Sequence, residues 1–308
     1  MLDTMIIGAG PAGLTAAIYA VRAGLSLTVI EKNPVCGGQV LNTWEVDNYP
    51  GLPGIGGFEL GTKFHEHAEK LGVSFTEATV TGLGFEKTDG KNAFTAELDD
   101  GQRLTAKSVI LATGASHAKL GVPGEEALSG RGVSYCATCD GGFFRGQEAV
   151  VVGGGDVAVE DAIYLARLCK KVTLIHRRDE LRATRVLQEE LLALENVEVR
   201  WDTVIKEIQG QDRVTAVLAE NVKSGEKSVL ETNAVFVAVG IRPDTALAAE
   251  LVQVDGNGYI SAGEDGATSL PGLFVAGDAR KKRLRQIVTA VADGANAATA
   301  VQDYLREQ

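Results

Sequence analysis

A repeat constrains this chain more than any other feature. Residues 8–31 recur 145 positions later, without a gap, as residues 153–176, and a glycine pattern falls on itself. The first copy reads Gly8-Ala9-Gly10-Pro11-Ala12-Gly13, the second Gly153-Gly154-Gly155-Asp156-Val157-Ala158. Each follows an apolar run of strand length, 4–7 or 149–152, and precedes a helix-like stretch, 14–23 or 159–168, and a second strand, 27–30 or 172–175. This is the plan of a βαβ dinucleotide cradle. The first glycine makes the tight turn, the second lets backbone approach a pyrophosphate at the helix N-terminus, and the third lets the helix pack close. One such pattern is weak evidence, whereas two in register, each between a strand and a helix, are specific. The expected fold class is α/β, with two Rossmann-like dinucleotide-binding domains.

The residue ending the second strand separates the two copies. In the first it is Glu31, eighteen residues after Gly13, placed to accept a ribose hydroxyl. In the second the acid is replaced by His176, followed by Arg177, Arg178 and Arg182. Guanidinium groups at a ribose edge favour a 2′-phosphate through charge-assisted hydrogen bonds, and a carboxylate there would repel it. The second site is therefore expected to take NADPH, and the first an unphosphorylated adenosine, most simply that of FAD. The plainer reading of the arginines is a solvated basic face.

Two further apolar strands ending in glycine, Val109-Ile110-Leu111-Ala112-Thr113-Gly114 and Val235-Phe236-Val237-Ala238-Val239-Gly240, each close one half of the chain. A third, Leu273-Phe274-Val275-Ala276-Gly277-Asp278, has no fingerprint of its own and is expected to complete the first domain. The expected layout is discontinuous: residues 1–117 and 245–308 form the FAD domain, and residues 118–244 form an inserted NADPH domain. Glycine-bearing linkers around 114–124 and 240–245 are candidate hinges.

Near the start of the insertion stands Cys136-Ala137-Thr138-Cys139-Asp140. Two thiols at this spacing can close a disulfide in one turn of chain and commonly have a lowered pKa. One can attack a substrate disulfide while the other resolves the mixed disulfide. Asp140 is placed to give or take the proton that accompanies charge movement at sulfur.

Composition narrows the rest. The chain has 308 residues, 45% of them hydrophobic, so a large core is available. Its longest apolar runs are strand-sized, far below the roughly 20 residues of a membrane-spanning helix. A strand beginning at residue 4 leaves no room for a signal region, so a cytoplasmic location is expected. A formal charge of −11 argues against nucleic acid, which is held by accumulated Lys and Arg. The four cysteines and four histidines show no metal-ligand spacing, and no metal is expected.

These residues resemble the low-molecular-weight thioredoxin reductases of the pyridine nucleotide–disulfide flavoprotein group. Beyond the fingerprints and the Cys-Ala-Thr-Cys-Asp run, the matching pieces are Gly37-Gly38-Gln39, Ala112-Thr113-Gly114, His176-Arg177-Arg178-Asp179, Gly277-Asp278 and Arg285-Gln286. The resemblance implies a homodimer with FAD in the discontinuous domain and NADPH in the insertion, reducing thioredoxin. Hydride would pass from NADPH to FAD, then to the Cys136–Cys139 disulfide, then by exchange to thioredoxin. Cys139 would sit against the flavin, Cys136 would attack thioredoxin, and Asp140 would supply a proton. Asp278 would hold the ribityl chain, with Arg285 and Gln286 near the ring system and Asn48 and Ile287 also lining the FAD site. Such proteins rotate the insertion relative to the FAD domain. The outer charges of the run 281–285 read equally well as a solvated loop. Val157 stands where a small hydroxyl residue is common and Leu181 where an aromatic is frequent; neither removes an arginine. The alternative is a related flavoprotein with ferredoxin as donor, or with a peroxiredoxin, or oxygen and a small dithiol, as redox partner. A non-catalytic nucleotide sensor would leave Cys136 and Cys139 without a role.

Overall fold

A computed structural model of the chain describes residues 1–43, 46, 48–88 and 91–308, without the side chains of Asn42, Thr88, Lys91 and Cys139. The chain divides into two compact units, Met1–Ser116 with Arg242–Gln308, and His117–Ile241.

The first unit is built on a seven-stranded sheet. Leu2–Ile7 lies at its centre, parallel to Leu27–Glu31 on one side and to Arg103–Leu111 on the other. Phe75–Glu77 extends the first side in parallel. The long strand Arg103–Leu111 forks along its far side. Its first half pairs antiparallel with Lys91–Leu98, which continues to Val80–Thr88, and its last three residues pair in parallel with Leu273–Val275. The central strands are continuous apolar runs with Met5, Ile6, Val29, Val109 and Ile110 wholly buried, as a parallel sheet covered on both faces requires.

Helices Pro11–Arg22 and Ile287–Arg306 pack on one another through small residues. Ala12, Ala16, Ala290, Ala297 and Ala298 are buried at this crossing. A Cβ at Gly294 would lie 2.1 Å from the Ala12 carbonyl oxygen, so the two backbones touch there. This crossing brings the last helix, which is remote in sequence, to the first glycine turn.

The second unit repeats the plan in a five-stranded parallel sheet. Its order is Val197–Arg200, Lys171–Ile175, Glu148–Gly153, Ala234–Ala238, Val133–Ser134. A three-stranded antiparallel sheet, Thr203–Gly210, Val214–Asn221 and Lys227–Glu231, follows. Helix Asp156–Ala166 covers the parallel sheet with Val159, Ala162 and Leu165 fully buried.

Two Rossmann-like βαβ units are thus present. Both fingerprint helices begin earlier than the periodicity places them, at Pro11 and Asp156 rather than at residues 14 and 159. The cause is local: Gly10 and Gly155 serve as N-caps, and the last fingerprint residues form the first helical turn, where Pro11 loses no hydrogen bond. No helix among the described residues is long and apolar enough to cross a membrane.

Candidate functional site

Both glycine turns sit at the carboxyl ends of parallel strands, where open α/β sheets bind ligands. The reason for glycine is the same in each. A Cβ on Gly8 would lie 2.4 Å from the carbonyl oxygen of Ala112, and one on Gly153 would lie 2.4 Å from that of Ala238. In both units, then, the turn is squeezed against the end of the neighbouring strand. Gly13 admits no side chain either, since a Cβ there would stand 1.9 Å from the Gly8 carbonyl oxygen. In the second copy the corresponding residue is Ala158, whose methyl is buried against the turn: a Cβ on Gly153 would lie 2.5 Å from it.

The first unit gathers its expected residues into one rim. Glu31 accepts the Ala9 N–H at 2.7 Å, which places its carboxylate beside the glycine turn. The loop 37–39 is tied to that turn by the Gly37 N–H on the Ala9 carbonyl, 2.8 Å, and Gln39 donates to the Ala115 carbonyl at 2.8 Å. Gly10 and Gly38 approach so closely that a Cβ on Gly38 would lie 3.0 Å from Gly10 Cα. The Pro11 helix starts without a side-chain cap and without an acidic first turn, leaving its N–H groups to an anion. Thr113 donates to the Asp244 carbonyl at 2.5 Å, and the Gly114 carbonyl accepts the Asp244 N–H at 3.0 Å.

The C-terminal segment completes the rim. Gly277 lies over Ala12, where an added Cβ would be 2.9 Å from the Ala12 methyl. Asn48 donates to the Gln286 side chain at 2.9 Å, and Ile287, the first residue of the last helix, packs on the cluster of Val40, Val46, Ile55 and Leu60. Two polar atoms here are buried without a hydrogen-bond partner, Asp278 Oδ1 and Arg285 Nε. Burial pushes the Asp278 carboxyl up, against the pull of Lys282 and Arg285. The Arg285 guanidinium lies 3.8 Å from the centre of the Tyr259 ring. A buried acceptor and a buried donor left open on one rim fit a ligand that carries both.

In the second unit, Arg177, Arg178 and Arg182 are exposed at the end of strand Lys171–Ile175. Among the described residues none of the three forms an ion pair, whereas neighbouring Asp179 and Asp202 are both claimed by Lys223, at 2.9 and 3.0 Å. The Arg182 N–H donates to the Gly154 carbonyl at 2.7 Å, fixing this basic segment beside the fingerprint turn. Gly155 caps the helix that follows. Asp156 accepts the Thr184 N–H at 2.7 Å, and Val157 is exposed. His176 lies beneath the turn, 4% exposed, with its ring where a Cβ on Gly154 would have to stand; burial lowers its pKa, and Nε2 has no partner.

The dithiol segment belongs to the same unit. Ala137–Asp140 forms a single helical turn, and Cys136, just before it, is half-buried and held in a disulfide. Cys36 and Cys169 are free and buried. Burial, then the charges of Glu31 and Glu69, push the Cys36 thiol up to about 11, and burial raises Cys169, so neither is a ready nucleophile. Ser134 Oγ lies 2.6 Å from Asp140 Oδ2 and accepts the Cys136 N–H at 3.1 Å. Glu125, only 2% exposed, accepts the N–H groups of Leu120 and Gly121 and the Tyr135 hydroxyl. Burial and this carboxylate push the Tyr135 phenol up.

Sequence reasoning missed Ser134, Glu125, Tyr259, Lys282 and Asp293. Ser134 had a usable signal in its place two residues before Cys136; the others become visible only once distant segments meet. Within the run 281–285, Lys281 and Arg283 are exposed as in a solvated loop, whereas the Lys282 side chain is only 7% exposed. Among the described residues no group of three or more His, Cys, Asp or Glu is arranged to hold a metal.

Comparison with known proteins agrees with this arrangement. A family model described as pyridine nucleotide-disulphide oxidoreductase matches residues 2–294. The chain is 45% identical over 306 residues to a thioredoxin reductase of Bacillus subtilis, covering 99% of this chain and 95% of that one. With a thioredoxin reductase of Listeria innocua the identity is 46% over 306 residues, covering 99% and 94%. A solved structure of Lactococcus lactis thioredoxin reductase, in the FR conformation, superposes with a TM-score of 0.90 at 43% identity over 100% of both chains. Two glycine cradles, a disulfide-held cysteine and these matches lead to one conclusion: the chain belongs to the pyridine nucleotide-disulphide oxidoreductase family.

Proposed function

We propose that this protein is an NADPH-dependent thioredoxin reductase, with FAD held by the first unit and NADPH by the second. The observation that carries the reading is the Cys136 disulfide in a chain that also builds two dinucleotide cradles with opposite charge at their ribose ends. Membership of the family implies the use of a flavin and a nicotinamide dinucleotide.

The flavin, when bound, supplies two-electron transfer between nicotinamide and disulfide. The chain's own residues do the rest. Glu31, Gly10 and the Pro11 helix terminus favour an adenosine diphosphate moiety without a 2′-phosphate, and Asp278 and Arg285 offer an acceptor and a donor to the remainder. The unpaired Arg177, Arg178 and Arg182 favour a 2′-phosphate on the second dinucleotide. Cys136 is the thiol that attacks the thioredoxin disulfide, and Cys139 is its resolving partner. Asp140, oriented by Ser134, holds or delivers the proton that a departing thiolate requires. The glycine-bearing connections 114–124 and 240–245 carry the hinge motion of the cycle. A cytoplasmic homodimer is the working form.

The test is thioredoxin reduction followed with NADPH as donor. Wild-type protein should turn over, while C136S and C139S should each lose at least about a thousandfold in kcat, as removal of one member of a nucleophilic pair does. Full turnover by both serine variants would remove the dithiol from the mechanism. Turnover with reduced ferredoxin and not with NADPH would favour the alternative donor.

A further inference from the structure

Asp278 meets its ligand from a position that residues outside either glycine fingerprint determine. The turn Gly277–Ala279 follows strand Leu273–Val275, and Asp293 projects from the second turn of helix Ile287–Arg306. Asp293 has a side chain only 6% exposed and accepts four hydrogen bonds. They come from the Gly277 N–H at 3.0 Å, Arg280 Nε at 3.2 Å, Arg280 Nη2 at 2.7 Å and Lys282 Nζ at 2.9 Å. Arg280 reaches on to the Gly263 carbonyl at 3.1 Å. A single carboxylate thereby fastens the turn that carries Asp278 and two nearly buried cations.

Lys282 is the unusual member. A lysine in a basic loop ordinarily keeps its ammonium in water, and burying it is costly unless anions meet it. Its ammonium lies 2.9 Å from Asp293 Oδ2 and 3.7 Å from Asp278 Oδ1, with Thr289 Oγ1 at 3.4 Å. The Asp278 contact is close enough for charge attraction and too long for a hydrogen bond. Asp278 Oδ1 is therefore attracted by the ammonium yet keeps its lone pairs free, and it has no hydrogen-bond partner. Without Lys282, that buried carboxyl would keep only the more general pull of Arg285 against the like charge of Asp293, which shifts it toward its neutral form.

We propose that Lys282, anchored by Asp293, is a positioning residue that keeps Asp278 a charged, unshared acceptor for a hydroxyl of the flavin's ribityl chain. The inference rests on the assignment of FAD to the first unit. Lys282 acts through Asp278, so its contribution must vanish when Asp278 can no longer accept as an anion.

The experiment is FAD binding to flavin-stripped protein, followed by fluorescence quenching, for wild type, K282M, K282R, D278N and the double variant D278N/K282M, with far-UV circular dichroism to check folding. K282M should raise the Kd for FAD about tenfold or more, K282R should restore most of the affinity, and K282M should cost nothing further in the D278N background. D293N gives a second route: it should weaken FAD binding alone and add little to D278N. An unchanged Kd in K282M, or an equal loss in the wild-type and D278N backgrounds, would overturn the inference while leaving the FAD assignment intact. Failure of stripped wild-type protein to bind FAD would overturn the assignment itself.

Discussion

The Ser134 hydroxyl donates to the Asp140 carboxylate across 2.6 Å and, through the same oxygen, accepts the Cys136 N–H at 3.1 Å. One buried side chain thereby ties the Cys136 backbone to the Asp140 carboxylate, the acid of the proposed mechanism. A hydrogen bond to a charged group is worth about 1.5–3 kcal/mol, so S134A should lower kcat for thioredoxin reduction about tenfold or more while leaving the KM for NADPH unchanged. S134T, which keeps a hydroxyl, should recover part of the loss. A raised NADPH KM at constant kcat would show instead that Ser134 serves the nucleotide side of the unit.

The two glycine turns should fail separately. A Cβ at Gly8 strikes the Ala112 carbonyl, and one at Gly153 strikes that of Ala238. G8A should yield protein with little bound flavin that still binds NADPH, and G153A should yield flavin-loaded protein with weak NADPH binding. The flavin-to-protein absorbance ratio and NADPH titration read the two sites independently. Each clash is with backbone, so a stability loss on the order of 2 kcal/mol or more accompanies each change.

On the proposed reading, coenzyme choice rests on three guanidinium groups that, among the described residues, form no ion pair. Replacing Arg177, Arg178 and Arg182 together by alanine should raise the NADPH KM at least a hundredfold and leave the NADH KM nearly unchanged, since each charge-assisted hydrogen bond to the 2′-phosphate is worth about 1.5–3 kcal/mol. Equal effects on both coenzymes would assign the arginines to structure rather than to the 2′-phosphate.

Much of this architecture is legible in the sequence, and the part that is not has a physical pattern. The glycine patterns, Glu31 against His176, and the cysteine pair are local signals, each a short run whose spacing matches the backbone or ligand it serves. Apolar periodicity misplaces both fingerprint helix starts because it begins only after the first turn, which Gly10 and Gly155 have already capped. Lys282 is unreadable for a different reason. Its neighbours in sequence are Lys281 and Arg283, and the nearer of its two anions, Asp293 at 2.9 Å, comes from the distant last helix. Glu125 caps the nearby Leu120 and Gly121 N–H groups, and its contact with Tyr135 forms only when that residue folds back onto it. Close backbone approach and glycine geometry are written locally; charge pairing between separate elements is not.

Asp161 gives a pH signature. Burial, with Glu160 adding its charge, raises its carboxyl from 3.8 to about 7. A folded carboxyl that keeps its proton up to that pH contributes stability fully present below about pH 4 and lost as the pH rises through about 7. D161N should therefore melt increasingly above wild type between about pH 5 and pH 8, by about 1–3 kcal/mol at the upper end. Parallel melting curves for the two proteins across that range would show that Asp161 titrates normally.

In the proposed cycle, reducing equivalents entering at the arginine-lined cradle arrive at the cysteine pair. The most direct measurement is anaerobic NADPH titration of the purified protein, with flavin absorbance and free thiols followed together. Bleaching of the flavin band, with two thiols above the Cys36 and Cys169 background appearing per chain after about two equivalents of NADPH, is the predicted result. A colourless protein, or a flavin that bleaches while no new thiols form, would contradict it.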